Sequence, residues 1–143
     1  NTLGKRLSMR FGLVWVNLFQ IVFSGRVRMT IRMTKPSRYN IRGLYAVTPD
    51  ILEVELLCEK VQHALEGGAS LVQYRNKFAD KQLQLQQSTA LLTLCRSYDV
   101  PLIINDHLDL CAQIDADGLH IGASDCNLNA ARRLLGPDKI IGA

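Results

Sequence analysis

The residues of this sequence that could do chemistry follow short apolar runs. In and after the run LVQYR, Gln73, Arg75 and Lys77 stand two residues apart. If the run is a strand, its period of two puts all three side chains on one face, together with Leu71. Arginine offers a planar fork of donors and lysine a mobile positive charge, a combination that suits a phosphate or a diphosphate. A solvated Arg/Lys pair in a loop is the alternative that spacing alone leaves open.

Two carboxylates follow later apolar runs in the same way. Asp106 comes after the run LII together with Asn105, and Asp125 comes after the run GLHI. Carboxylates from neighbouring strand ends are ligands for a hard cation, and Mg²⁺ commonly binds one or two of them plus a substrate phosphate. The basic cluster and the acidic pair together predict one magnesium diphosphate pocket. A helix cap at Asp106 stays open as an alternative, and His120 is interpreted as a packing residue rather than a general base.

Repeated β and α elements must position these residues. From residue 42 onward the chain alternates four times between short apolar runs and amphipathic helical stretches. Strands are predicted over residues 43–47, 71–75, 101–104 and 118–121, with a fifth beginning at 139–143. Helices are predicted over 51–66, from a cap at Asp80 to a turn at 98–99, over 108–114 and over 127–135. Such alternation with short connections indicates a parallel sheet whose functional residues collect at the carboxyl ends of the strands.

Two sheet architectures, an open doubly wound sheet and a closed barrel, have this alternation of strands and helices. A doubly wound sheet usually has a glycine-rich first turn, whereas the first turn here is Thr48-Pro49-Asp50. A TIM (β/α)₈ barrel fits better, although such barrels take about 250 residues. We therefore predict an α/β fold in which residues 41–143 form the N-terminal half of a (β/α)₈ barrel, with four βα units and the start of strand five.

The charge is divided unevenly along the chain. Residues 1–40 contain eight Lys or Arg and no acidic residue, whereas residues 41–143 contain nine basic and thirteen acidic residues. The acidic part offers no cationic stripe for nucleic acid, so no nucleic-acid partner is expected. The basic segment 1–40 is predicted to be a separate N-terminal extension. Its apolar stretch is shorter than the roughly 20 residues that span a bilayer, and no membrane partner is expected.

The role of that extension is left open among three interpretations. It could be a targeting segment, an amphipathic helix on a membrane surface, or sequence upstream of a true start at Met29 or Met33. The four cysteines form no C-x-x-C pair. They are predicted to be small buried residues in a reducing compartment, which gives a cytoplasmic expectation for the protein.

Five segments in order resemble the thiamine-phosphate synthase family. They are GLYAVTPD, EGGASLVQYRNK, PLIINDHLDL, ADGLHIGASD and LLGPDKIIGA, at residues 43–50, 66–77, 101–110, 116–125 and 134–143. The resemblance implies a (β/α)₈ barrel and a Mg²⁺-dependent transferase. Its substrates would be hydroxymethylpyrimidine diphosphate and a thiazole phosphate, and its products thiamine monophosphate and diphosphate. The resemblance leaves both a monomer and a homo-oligomer open.

The resemblance also implies roles for single residues. Arg75 and Lys77 are expected to be catalytic, and Asp106 and Asp125 to hold Mg²⁺. The residues expected to contact the pyrimidine diphosphate are Gln73, Tyr74, Arg75, Asn76, Lys77 and Asn105. One departure is that Ala123 and Ser124 stand where the family often has Gln-Glu before the metal-binding aspartate.

The thiazole site of the family comes from later strands, so residues 1–143 alone are expected to be inactive. Two alternatives are kept: a thiazole tautomerase of the same superfamily, which does not need a metal diphosphate pair, and an inactive half-barrel fragment.

Overall fold

The structure is a computed structural model that describes residues 14–16, 19–21, 39, 41–122 and 128–143. In this part of the chain, strands and helices alternate from residue 44 onward, as predicted. The strands are β1 (Val14–Val16), β2 (Phe19–Ile21), β3 (Leu44–Val47), β4 (Ala69–Tyr74), β5 (Leu102–Asn105), β6 (Gly118–His120) and β7 (Ile140–Gly142). The helices are α1 (Val54–Glu66), α2 (Lys81–Ser97), α3 (Leu108–Gln113) and α4 (Leu128–Leu135).

The described strands form one sheet, ordered β1 to β7 as they occur in the chain. Strands β3 to β7 run parallel to one another. Their register aligns Val47, Gln73, Ile103, Gly118 and Ile140 in one row across five strands. The predicted parallel α/β arrangement is therefore confirmed, and the carboxyl ends of these strands meet at one edge of the sheet.

Two strands come from the basic N-terminal segment. Strand β1 pairs with β2, and β2 pairs with β3, both in antiparallel fashion. Apart from these strands and Tyr39, residues 1–40 lie outside the described part, including the candidate start sites Met29 and Met33. Across the described helices, none is both long enough and apolar enough to cross a membrane.

One face of the sheet packs against the helices and forms the main core. Apolar side chains repeat every three to four residues in α1 and α2, which gives each helix a buried stripe. The largest buried side chains of this core are Tyr74, Leu57, Leu91, Leu102, Ile104 and Leu119. Burial of an aliphatic or aromatic side chain of this size stabilises a fold by roughly 1.5–3 kcal/mol. This layer is what holds the strand ends in place.

The opposite face, called the inner face below, carries a smaller apolar cluster. Leu71, Ile103 and Ile140 are its buried members, and Tyr39, Ile41 and Tyr45 pack against them. Gln73 follows Leu71 by two residues and lies on the same face, as the strand period predicts. The inner face is therefore apolar near its middle and becomes polar toward the carboxyl ends of the strands.

Helix α1 starts later than the sequence predicts. The helix was expected from residue 51 but begins at Val54. The carbonyl oxygens of Ile51 and Leu52 accept hydrogen bonds from the side-chain amide of Gln87, and the Ile51 amide bonds to Pro49. These contacts hold residues 51 and 52 outside the helix. The other elements from β3 onward begin and end within two residues of the prediction, and Asp80 caps α2 as expected, whereas the sequence did not predict β1 and β2.

The described cysteines fit their predicted packing role. Cys58, Cys95 and Cys111 are free thiols, and the last two are fully buried. Burial raises the pKa of both Cys95 and Cys111 to about 12, which keeps these thiols protonated and unreactive at neutral pH. Cys126 lies outside the described residues.

Gly118 is the most crowded of the glycines in the described part of the chain. A methyl group at this position would lie 2.7 Å from both the Ile103 Cδ1 and the Ile140 Cβ atoms, and still nearer to the Ile140 carbonyl oxygen. We expect Gly118→Ala to lower the free energy of unfolding by about 1–3 kcal/mol, the usual cost of an overpacked core. Urea denaturation measures this change.

Gly67→Ala is the matched control for that experiment. Gly67 ends α1 with an ordinary φ of −76°, and a methyl group there would meet the His63 carbonyl oxygen at 3.3 Å. Its loss of stability should be clearly smaller. Equal losses for the two variants would show that crowding at Gly118 does not determine the result.

Candidate functional site

Gln73 begins the polar part of the inner face. Its side chain is buried and its amide nitrogen donates a hydrogen bond to the hydroxyl of Tyr45 on β3. Burial raises the pKa of Tyr45 to about 12, and the bond from Gln73 opposes this only in part. Tyr45 thus stays a neutral phenol, which can donate a hydrogen bond as well as accept one. Sequence reasoning identified Gln73 but missed Tyr45, because its role depends on the pairing of β3 with β4.

Arg75 and Lys77 both meet Asp50 at the end of β4. The Arg75 Nη1 atom is 3.7 Å from Asp50 Oδ2, with 30% and 26% of the two side chains exposed. The backbone amide of Lys77 donates to Asp50 Oδ1 at 2.7 Å. Arg75 therefore lies within ion-pair distance of a carboxylate, while the side chain of Lys77 is exposed. Asp50 was missed as a site residue; its position just after the first strand is the signal that could have identified it.

Thr48 fixes the backbone of Arg75. The Thr48 hydroxyl accepts a hydrogen bond from the Arg75 amide and donates one to the Arg75 carbonyl oxygen, each at 2.9 Å. The Thr48 amide also donates to the Gln73 carbonyl oxygen at 2.9 Å. Because Thr48 is buried, these bonds are shielded from competition with water. These hydrogen bonds therefore fix the position of the loop after β3 relative to the end of β4.

Tyr74 and Asn76 lie on the helix side of the sheet. The Tyr74 hydroxyl donates to Gln87 Oε1 at 2.8 Å, and the Asn76 amide nitrogen donates to Gln87 Oε1 at 3.1 Å and to the Ile51 carbonyl oxygen at 2.7 Å. Both side chains are buried. The structure therefore places Tyr74 and Asn76, two of the expected substrate contacts, on the opposite side of the sheet from Gln73 and Arg75. The strand period is the reason, since neighbouring residues point to opposite faces.

The carboxylate of Asp106 lies at the end of the next strand. Its Oδ2 atom accepts a hydrogen bond from the Asn105 amide nitrogen at 2.6 Å, and its Oδ1 atom accepts one from the Gly122 amide at 3.2 Å. Tyr74 and Ile104 are paired in the register, so Arg75 and Asn105 occupy the next positions along neighbouring strands. The basic residues and this carboxylate therefore share one edge of the sheet.

Asp106 is not a helix cap. The N-cap of α3 is His107, and no side chain makes a capping hydrogen bond there. Asp106 has a φ of 60°, in the left-handed region. Asp99 and Asp115 also have positive φ, but each directly follows the end of a helix, where this conformation is common. Asp106 instead lies between a strand and a helix, and this backbone turn lets its carboxylate reach Gly122.

His120 lies on β6 opposite Asn105. The two residues are paired in the register, and His120 is half-buried. Its carbonyl oxygen accepts a hydrogen bond from the Asp106 amide at 2.8 Å. His120 thus takes part in the site through its backbone, and its imidazole stays interpreted as a packing group.

The described residues fit part of a magnesium site. Asp106 supplies a carboxylate at the strand end, and oxygen ligands are those that Mg²⁺ prefers. No cluster of three or more His, Cys, Asp or Glu side chains suited to a metal occurs among the described residues. Asp125 lies outside them, as do Ala123 and Ser124. Since Mg²⁺ often binds through one or two carboxylates, waters and substrate phosphates, a site completed by a phosphate ligand is compatible with Asp106.

Comparisons with known proteins point to one family. The family model described as thiamine monophosphate synthase matches residues 44–143. A thiamine-phosphate synthase of Nitrosomonas eutropha is 52% identical over 105 residues, which cover 73% of this chain and 50% of that protein. A thiamine-phosphate synthase of Janthinobacterium sp. is 52% identical over 104 residues, again 73% of this chain and 50% of the relative.

A solved structure agrees with these relatives. The thiamine phosphate pyrophosphorylase of Pyrococcus furiosus matches with a TM-score of 0.60 and 34% identity, over 68% of this chain and 46% of that one. The chain spans about half the length of the curated relatives it matches.

Proposed function

The chain belongs to the thiamine monophosphate synthase family, and we propose from this that the protein containing it is a thiamine-phosphate synthase. This transferase would join hydroxymethylpyrimidine diphosphate to a thiazole phosphate, giving thiamine monophosphate and diphosphate. The structural observation that supports the proposal is the shared edge at which the Arg75–Asp50 pair and the Asp106 carboxylate lie. The partners would be these two small molecules, and a cytoplasmic protein is the corresponding proposal for location.

We propose that the five parallel strands are the first five of an eight-stranded (β/α)₈ barrel. Their spatial order follows the chain order, helices cover one face, and apolar side chains line the other, as in barrels of this kind. In a closed barrel the outer edge of β3 would pair with the eighth strand. In this chain β2 lies on that edge.

The proposed chemistry is a displacement at the methylene carbon of the pyrimidine. The bond from this carbon to the diphosphate oxygen breaks, the thiazole nitrogen bonds to the carbon, and the electron pair leaves with the diphosphate. Arg75 and Lys77 would neutralise the negative charge that grows on the leaving group, a contribution that accelerates the step only if it is larger in the transition state than in the bound substrate. No side-chain base or nucleophile is needed.

The remaining residues would bind and orient. Gln73 and Asn105 are proposed to contact the pyrimidine diphosphate, as the family resemblance implies. Asp106 and Asp125 are proposed to hold Mg²⁺, which when bound would supply further positive charge against the diphosphate. Tyr74 and Asn76 are not assigned direct contacts, because their side chains bond to Gln87 and Ile51.

The proposal is tested by assaying the full-length gene product with both substrates and Mg²⁺. Formation of thiamine monophosphate with release of one diphosphate per turnover, lost when the metal is removed with a chelator, is the expected result. Conversion of a thiazole phosphate without any pyrimidine substrate would instead identify a tautomerase. No turnover of either kind would support the inactive half-barrel alternative.

A further inference from the structure

A buried polar network lies beneath the basic cluster. It consists of the side chains of Tyr74, Asn76 and Gln87 with the carbonyl groups of Ile51 and Leu52, and we call it the Gln87 network. Tyr74 is 2%, Asn76 5% and Gln87 0% exposed. Gln87 lies on α2, whereas the other residues belong to the end of β4 and to the two loops that follow β3 and β4. The network therefore joins three separate elements.

The hydrogen bonds of Gln87 are complete. Its Oε1 atom accepts from the Tyr74 hydroxyl at 2.8 Å and from the Asn76 amide at 3.1 Å. Its Nε2 atom donates to the carbonyl oxygens of Ile51 at 2.7 Å and Leu52 at 3.2 Å. Because all four hydrogen-bonding positions of this amide have a partner, a shift of any one partner would leave a buried polar atom without its hydrogen bond.

Asn76 extends the network into the loop after β4. Its amide nitrogen also donates to Ile51, and its Oδ1 atom accepts from the backbone amides of Phe78 at 3.1 Å and Ala79 at 3.2 Å. No buried side-chain polar atom among the described residues lacks a hydrogen-bond partner. The loop that contains Lys77 is thus bonded on both sides of that residue.

The two loops joined by the network are those that hold the charged residues. Asp50 directly precedes Ile51, whose carbonyl oxygen accepts bonds from both Asn76 and Gln87. Arg75 lies between Tyr74 and Asn76, and Lys77 directly follows Asn76. The bonds of Asp50 to Arg75 and to the Lys77 amide cross between the same loops. The network therefore sets the distance between the loops on which the charged groups stand.

We propose that Gln87 is a positioning residue for the diphosphate site, acting through Asn76, Tyr74 and Ile51 to place Arg75 and Lys77. The inference rests on the proposed function, which assigns the diphosphate to those two cations. Gln87 itself is not proposed to contact a substrate. Its replacement should therefore weaken binding of the diphosphate group while the thiazole phosphate, proposed to bind elsewhere, is affected much less.

The test compares Gln87→Met with Ser88→Ala in the full-length gene product. Methionine matches the length and volume of glutamine but makes none of the four hydrogen bonds. Ser88 is the matched control, because it is equally buried on the same helix and its hydroxyl bonds to the Leu85 carbonyl oxygen of its own helix. The first readout is the Kd of inorganic pyrophosphate with Mg²⁺, measured by calorimetry, which does not require turnover.

Gln87→Met should raise this Kd at least about tenfold, because small displacements of positioned groups have large effects. Ser88→Ala should leave it unchanged even if the melting temperature falls. In the assay, the KM for the pyrimidine diphosphate should rise with Gln87→Met while that for the thiazole phosphate stays nearly constant. A merely structural role would change stability without separating the two KM values.

A second variant tests the two donor bonds of Gln87 separately from its two acceptor bonds. Gln87→Glu keeps oxygen acceptors for Tyr74 and Asn76, but an ionised carboxylate donates to neither the Ile51 nor the Leu52 carbonyl oxygen. It should raise the pyrophosphate Kd at least about threefold, the effect expected if only one of the two lost hydrogen bonds matters. Equal Kd values in the wild type and the Gln87 variants, or no pyrophosphate binding by the wild type, would overturn the positioning role. Absence of thiamine monophosphate formation by the wild type would instead contradict the proposed function.

Discussion

Replacement of Asp106 by asparagine should lower the kcat of thiamine monophosphate formation at least about 10²-fold, a loss typical of one preorganised electrostatic contact. The substitution removes the negative charge proposed to hold Mg²⁺, and with it the hydrogen bond that Oδ2 accepts from the Asn105 amide. Asparagine keeps an oxygen acceptor for the Gly122 amide, and it tolerates the left-handed backbone that Asp106 adopts, with φ of 60°. Steady-state kinetics at increasing Mg²⁺ measure both the loss and the shift to higher metal concentration.

Two variants control for other causes of this loss. Asp109→Asn makes the same charge change at an exposed position in the first turn of α3, and should leave kcat nearly unchanged. His120→Asn changes a half-buried residue beside the site and should cost much less than Asp106→Asn, because no general base is proposed. Equal losses at His120 and Asp106, or full activity in the presence of a chelator, would contradict the proposed metal role.

The sequence predicts most of the fold because its signals are local. Strand β5 is an example: an apolar run that begins after Pro101 and ends at Asn105 is bounded by residues that stop a strand. Helix α2 is another, since Asp80 supplies a cap that the structure confirms. The start of α1 could not be predicted in this way. It depends on bonds from Gln87, 36 residues from Ile51 in the chain.

The candidate site likewise contains residues that the local sequence predicts and residues that only long-range packing identifies. The alternation of Gln73, Arg75 and Lys77 follows from the strand period, and the structure places the intervening residues on the helix side. Asp50 and Gln87 were not identified from their surroundings in the sequence. The sequence around Asp50 is typical of a turn, and Gln87 lies in a run of glutamines on a helix that begins KQLQLQQ. Only the packing of α2 against two strand ends makes Gln87 fully buried.

Replacement of Arg75 by alanine should raise the KM for the pyrimidine diphosphate about 10- to 100-fold, because a hydrogen bond to a charged group contributes about 1.5–3 kcal/mol. The KM for the thiazole phosphate should change much less. Arg42→Ala is the control, since Arg42 is exposed and precedes β3 at the other edge of the sheet. Equal weakening of both substrates by Arg75→Ala would count against assigning the diphosphate to this residue.

Part of the expected loss comes from Asp50 rather than from the missing guanidinium. Without Arg75, the Asp50 carboxylate loses its ion-pair partner and would repel a nearby diphosphate. Asp50→Asn removes that charge while an amide oxygen can still accept from the Lys77 backbone. Added to Arg75→Ala, it should therefore restore some of the affinity, whereas alone it should not improve binding to the same extent. A double-mutant cycle on the two KM values measures this coupling, and strict additivity would show that Asp50 acts on the diphosphate independently of Arg75.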